Sequence, residues 1–161
     1  MKINNKEYKE IKLLGKGKSG YSFLVQDVDL NFYVAKKIHH EQCDYYTFTD
    51  KLQSEIDDYN YLKNILNLPK LLDVDYENEI ILKEYLDEIT IKDMIDNKQN
   101  IDNILPMIRE ISKTCESNGI NIDYYPSNFI LYNGKMFYID FECNSYDEKW
   151  NFENWGSKYW N

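Results

Sequence analysis

Through its first third the chain alternates apolar and polar residues, and beyond that the spacing lengthens to helical period. Tyr8 to Leu14 reads as a strand, broken by Gly15-Lys16-Gly17-Lys18-Ser19-Gly20. Tyr21 to Asp27 reads as its return and, after a turn at Asn31, Phe32 to Ile38 as a third strand. From Thr49 to Ile65, Leu52, Ile56, Tyr59 and Leu62 recur at the interval of one helix face. Leu71 to Tyr76 and Glu79 to Tyr85 form two more strands about a Glu77-Asn78 turn. Ile91 to Asp96 predicts a short helix with Thr90 as N-cap. Asn103 to Asn118 predicts a longer one, apolar along Ile104, Ile108, Ile111 and Cys115 and ended by Gly119.

The clearest local signal is Asn133-Gly134, which predicts a two-residue hairpin turn between Phe129–Tyr132 and Met136–Ile139. A turn that short fixes the register: Tyr132 faces Lys135, and counting outward sets Asn128 opposite Ile139. Asn128 and Asp140 then meet at the open end, with Asp123 in the entry loop. Three oxygen-bearing side chains so placed could hold a hard cation, lie solvated, or cap turns. Strands early and helices later give an α+β chain of one domain, with no internal repeat.

Composition narrows the function classes. A formal net charge of −9 argues against a general binder of nucleic acid or anionic membrane. Cys43, Cys115 and Cys143 lack paired spacing, and the two histidines, His39 and His40, are adjacent, which disfavours a zinc site or a thiol nucleophile. His39-His40 reads most simply as a solvated turn. Sparse, odd cysteines fit a reducing compartment. The opening MKINNKEYKE has no apolar segment of signal-peptide type, and no run is long enough for a bilayer span, so a soluble cytoplasmic protein is expected.

Gly15-x-Gly17-x-x-Gly20 joins two strands, whereas a dinucleotide-binding loop opens a helix. Its glycines suit either an ordinary hairpin or backbone approach to phosphates. Fourteen residues past Gly20 begins Val34-Ala35-Lys36-Lys37, where alternation puts Ala35 and Lys37 on one face and Lys36 on the other. Glu55, early on the next helix, could pair with Lys37, with Asp58 a weaker competitor.

In this order, a Gly-rich hairpin, a Val-Ala-x-Lys strand, a helical Glu, Asp123-x-x-x-x-Asn128, a hairpin and Asp140-Phe141 resemble the protein-kinase-like superfamily from about Tyr8 to Glu142. The resemblance implies a two-lobed α+β fold: a five-stranded antiparallel N-lobe with one helix (about 1–84), a hinge (about 84–88), and a truncated helical C-lobe carrying the hairpin (about 89–161). It implies that Gly15, Gly17 and Gly20 cover phosphates and that Ala35 lies over adenine. Lys37 would hold the α/β-phosphates with Glu55 as its partner, and the backbone of Glu84-Tyr85-Leu86 would meet the adenine edge. Asp123 would serve the acceptor hydroxyl, and Asn128 and Asp140 would bind Mg²⁺.

The sequence also departs from that pattern. Asn121-Ile122-Asp123 stands for His-Arg-Asp, Tyr125 for a lysine, Lys83 for a hydrophobic residue before the hinge, and Glu142 for the glycine of Asp-Phe-Gly. Few residues follow Asp140, so the chain looks like a minimal bacterial serine/threonine-kinase-like protein. In size it is similar to the small kinase-like ATPase of the tRNA threonylcarbamoyl complex. Trp150, Trp155 and Trp160 are expected to pack against the Asn103–Asn118 helix. The expected activity is Mg·ATP-dependent phosphoryl transfer to a hydroxyl, of a protein or of the chain itself. The alternatives are a kinase-fold ATPase driving a partner complex, and a nucleotide-binding pseudokinase. ATP and an unidentified protein are the expected partners, with neither nucleic acid nor membrane.

Overall fold

The computed structural model describes residues 1–41 and 50–161, so Cys43 and the predicted helix start at Thr49 lie outside the described residues. The chain divides into two compact units, one of Met1–Ile56 with Pro69–Tyr85, the other of Asp57–Leu68 with Leu86–Asn161.

The first unit is built on a five-stranded antiparallel sheet. Its strands are β3 (Lys9–Lys16), β4 (Gly20–Gln26), β5 (Phe32–Ile38), β6 (Leu71–Asp75) and β7 (Ile80–Glu84), in the order β3-β4-β5-β7-β6. They match the predicted strands to within two residues at each end. The sequence reading missed a preceding two-stranded ribbon, β1 (Lys2–Ile3) and β2 (Lys6–Glu7). It turns on Asn4 and Asn5, both at positive φ (48° and 67°), a conformation asparagine tolerates better than most residues. Strands of two residues give no periodicity to detect.

That ribbon covers one face of the sheet. Ile3 and Tyr8 pack there with Val25, Ala35, Ile80 and Leu82. On the other face Ile38 and Ile81 meet Leu52 and Ile56 of α1 (Lys51–Leu62). Period-two alternation splits β5 between the two cores: Ala35 faces the ribbon, and Ile38 faces the helix.

The second unit holds α2 (Ile91–Asp96), α3 (Leu105–Ser117) and two short strand pairs around one loop. Thr90 caps α2 through a reciprocal box with Asp93, as its position before an apolar run predicts. Gly119, at φ 69°, ends α3. β9 (Phe129–Tyr132) and β10 (Lys135–Tyr138) form the predicted hairpin with Tyr132 opposite Lys135, and Asn133 and Gly134 both take positive φ. β8 (Ile120–Ile122) pairs with β11 (Cys143–Ser145), bracketing the hairpin and its entry loop. Neither strand was read from the sequence.

The aromatic tail packs elsewhere than predicted. Trp160 is buried and donates its indole Nε1–H to the carbonyl of Tyr124 at 2.8 Å, with its ring against Phe129 and Phe152. Its support is thus the entry loop and hairpin. Towards α3 the tail offers an exposed ion pair, Arg109–Glu153. Trp150, by contrast, is about half exposed. Among the described residues, no helix is long and apolar enough to cross a membrane.

Candidate functional site

Three carboxylates converge at the mouth of the β9–β10 hairpin. Oxygens of Asp123, Asp140 and Glu142 all lie within 4.8 Å of one another, each side chain half-buried. β8 ends one residue before Asp123, and β11 begins one residue after Glu142, so their pairing brings both flanks of the cluster together. Asn128 closes the turn Pro126–Asn128 ahead of β9. Its carbonyl accepts from Ile139 N–H at 2.9 Å, the next step of the predicted register. Its side-chain Nδ2 donates to the Asp123 carbonyl at 3.3 Å, which fixes the amide and leaves Oδ1 as its acceptor end.

The cluster is held by a residue that the sequence reading did not single out. Tyr138 is fully buried; its hydroxyl donates to the Glu142 carbonyl at 2.7 Å and accepts from the Asp123 N–H at 3.1 Å. One side chain thus ties the loop before the hairpin to the segment after it. Burial pushes the phenol well above its ordinary value, and the Asp140 carboxylate adds to this, so the hydroxyl keeps its proton as a donor. Asp123 Oδ1 accepts from the Tyr125 N–H and Asp140 Oδ1 from the Glu142 N–H, which orients both carboxylates. Phe141, between Asp140 and Glu142, is buried against Tyr59, and Asp58 accepts from the Cys143 N–H. Asp58 therefore serves the second unit by holding the start of β11.

Glu142 is the carboxylate that sequence reasoning treated only as a replaced glycine. The available signal was its place two residues beyond Asp140, at the same hairpin mouth. Oxygen-only donors suit a hard cation such as Mg²⁺ and offer nothing to a soft one. Carboxylates this close repel one another unless a cation lies among them.

In the first unit, Glu55 pairs with Lys36 rather than with Lys37, correcting the expected pair. Lys36 Nζ lies 2.8 Å from Glu55 Oε1, and Lys83 Nζ lies 3.5 Å from the same oxygen. Lys37 is exposed on the opposite face of β5. The expected alternation is correct, but the helix packs on the other side, because the unread β1–β2 ribbon occupies the face of Ala35. For the same reason Ala35 is fully buried beneath Ile3 and Tyr8, so the surface expected to lie over adenine is already covered. Burial pushes the Glu55 carboxyl up, but the Lys36 and Lys83 ammonium groups outweigh it and hold it below the usual carboxylate range.

The glycines differ in what they do. A Cβ on Gly20 would stand 2.5 Å from the Lys37 carbonyl oxygen, so close approach of β4 and β5 requires that glycine. Gly15 has nothing within 4 Å of a Cβ, and Gly17 only the Gly20 carbonyl oxygen at 3.6 Å. Gly15 therefore borders open space, and Gly17 would make only an ordinary contact. His39, read as a solvated turn, instead tethers the loop. Its N–H donates to the Ser19 carbonyl at 2.9 Å, and its Nε2 lies 2.8 Å from the Gly17 carbonyl. A carbonyl only accepts, so Nε2 carries the proton, and Nδ1 accepts from the Glu41 N–H at 3.3 Å. Of the hinge segment, Glu84 closes β7 with its N–H on the Lys70 carbonyl, while Tyr85 stacks on Phe32 and Leu86 is buried.

No family model matches the chain. Over 87 residues it is 32% identical to the KEOPS complex subunit Bud32 of Pyrococcus abyssi, covering 52% of this chain and 39% of that protein. A chain in the structure of the CAK complex from Chaetomium thermophilum bound to ATP-γ-S matches with a TM-score of 0.57 at 20% identity, over 88% of this chain and 48% of that one. The chain spans less than half the length of either. The five-stranded antiparallel sheet with its packed helix, the later helices and hairpin, and this structural likeness agree: the chain has an α+β fold of protein-kinase-like type.

Proposed function

We propose that the protein is a Mg·ATP-dependent phosphotransferase of protein-kinase-like type, acting on a hydroxyl of a protein or of itself. The observation that carries this reading is the oxygen-donor cluster at the hairpin mouth, Asp123, Asp140 and Glu142 with Asn128 beside them. ATP supplies the phosphoryl group, and magnesium neutralises phosphate charge. Phosphoryl transfer asks a protein chiefly for positioning and charge stabilisation. Asp140 and Asn128 would hold the metal, with Glu142 as a further donor. Asp123 would orient the acceptor hydroxyl and take its proton. In the first unit Lys36, kept in place by Glu55, takes over the phosphate role expected of Lys37. Gly15 and Gly17 leave backbone room for an anion.

The test is to incubate the pure protein with γ-labelled Mg·ATP and follow label on protein and free phosphate together. Label that Asp123→Ala and Asp140→Asn both abolish supports transfer. Label unaffected by either variant refutes it. A second reading is favoured by the similarity to Bud32, whose name marks it as a subunit of a complex: an ATPase serving a partner assembly. Phosphate release without label would select it. Thermal stabilisation by Mg·ATP with neither product would select a nucleotide-binding module of pseudokinase type.

A further inference from the structure

The C-terminal tail carries a row of aromatic rings whose polar ends the fold leaves unused. It lies on three short helical turns, Glu148–Trp150, Phe152–Gly156 and Ser157–Tyr159. Phe152, Gly156 and Trp160 recur at four-residue spacing and are buried. A Cβ on Gly156 would stand 2.7 Å from the Tyr124 Cβ, so the tail is seated tightly on the entry loop. Trp155 and Tyr159, also four apart, are more exposed, Tyr159 at 36%, and Trp150 is 48% exposed. Their rings follow one another. Centroids are 6.1 Å apart from Trp150 to Trp155, 5.3 Å from Trp155 to Tyr159 and 5.2 Å from Tyr159 to Tyr125. The Trp160 indole N–H is bonded within the fold. Among the described residues, the indole N–H groups of Trp150 and Trp155 and the hydroxyls of Tyr125 and Tyr159 make no hydrogen bond.

Each ring is inclined to the next by 60° to 66°. A row so tilted is a line of wedge-shaped notches and not a flat platform. Nucleobases stack on flat faces, whereas the rigid pyrrolidine of proline fills a notch between aromatic rings. A polyproline segment has no internal hydrogen bonds, so its carbonyls are free to accept from indole and hydroxyl donors. Charge narrows the occupant further. Lys149 and Lys158 lie over Trp150 and Tyr159, 5.0 and 5.1 Å from the ring centroids. Neither has a carboxylate partner among the described residues, although the chain as a whole carries −9. Of the acids nearby, Glu153 pairs with Arg109 and Asp147 accepts from the Lys149 backbone N–H. We propose that this row is a docking surface for an extended, proline-rich, acidic segment of a partner protein. The row ends at Tyr125, whose N–H holds Asp123 Oδ1 at 3.1 Å, so a docked segment reaches the loop of the carboxylate cluster. Docking needs no nucleotide, and it goes beyond the phosphoryl-transfer reading and stands apart from it.

The test titrates synthetic peptides of repeated Glu-Pro-Pro, Lys-Pro-Pro and Glu-Ala-Ala into the full chain, followed by calorimetry and by tryptophan fluorescence. The Glu-Pro-Pro peptide is expected to bind, and Trp155→Ala to weaken it about tenfold, the loss typical of one aromatic anchor. Trp150→Ala, at the exposed end of the row, carries the same test should Trp155→Ala lower the melting temperature. Lys149→Glu combined with Lys158→Glu should reverse the preference towards the Lys-Pro-Pro peptide. The proposal is overturned if the Glu-Pro-Pro peptide does not bind, or if the Glu-Ala-Ala or Lys-Pro-Pro peptide binds the parent equally well. It is also overturned if Trp155→Ala and Trp150→Ala both leave the affinity unchanged. Tighter binding of single-stranded oligothymidylate overturns it in favour of a nucleic-acid surface. Sedimentation showing a dimer that Trp150→Ala dissolves overturns it too, because a second copy then covers the row.

Discussion

The Tyr138 hydroxyl makes the most exacting test of how the carboxylate cluster is held. Tyr138→Phe removes one oxygen and leaves the ring against Phe129, where the centroids are 5.3 Å apart. Two hydrogen bonds go with it, from the hydroxyl to the Glu142 carbonyl at 2.7 Å and from the Asp123 N–H to the hydroxyl at 3.1 Å. Leaving a buried donor or acceptor unsatisfied costs about 1–3 kcal/mol. Asp123 and Glu142 are half-buried, so water can recover part of that, and the expected net loss is about 2 kcal/mol. For a chain of this size each kcal/mol lowers Tm by about 2–4 °C. Urea unfolding monitored by tryptophan fluorescence should show a lower midpoint at unchanged slope. The second readout is local. With the tie gone, Asp123 and Glu142 can separate, so Mn²⁺ affinity measured by paramagnetic resonance should fall while the fold persists. A variant within about 0.5 kcal/mol of the parent, with Mn²⁺ binding intact, refutes the reasoning, because surface-like substitutions have effects that small.

Glu55 sets a pH dependence. Its folded carboxyl lies below the ordinary range, so the unfolded chain binds the proton more readily, and stability rises with pH through the interval between the two values. The contribution is complete above about pH 4.5, near the unfolded carboxyl value, and is lost as pH falls below it. Urea midpoints from pH 7 down to 3 should show this loss, and Glu55→Gln should flatten it; equal slopes for both proteins refute the pairing. Gly20→Ala should destabilise by about 1–3 kcal/mol, since a backbone carbonyl cannot yield to its Cβ, whereas Gly15→Ala should stay within about 0.5 kcal/mol. Equal melting temperatures for the two variants refute the close approach. Trp160→Ala should cost about 3–5 kcal/mol through the cavity and the lost bond to the Tyr124 carbonyl. A loss below about 1 kcal/mol would mean that the tail does not support the loop.

Local chemistry made much of this protein legible in its sequence. The Asn133-Gly134 turn admits one register, and that alone sets Asn128 beside Ile139 and brings Asp140 to the hairpin mouth. The five sheet strands, the capped α2 and the apolar stripe of α3 follow from periodicity and end signals that act over a few residues. Alternation along β5 was equally plain, with Lys36 and Lys37 on opposite faces. Which face receives Glu55 was not, because nothing within β5 states what packs on either side of it. The two-residue strands of the β1–β2 ribbon, too short to carry a pattern, decide it by burying Ala35 and leaving the helix the face of Lys36. The β8–β11 pairing, the Tyr138 tie and the arrival of Glu142 beside Asp123 likewise join residues about twenty apart through hydrogen bonds that periodicity does not encode. Sequence period fixes which side chains share a surface, and only long-range packing chooses what that surface meets.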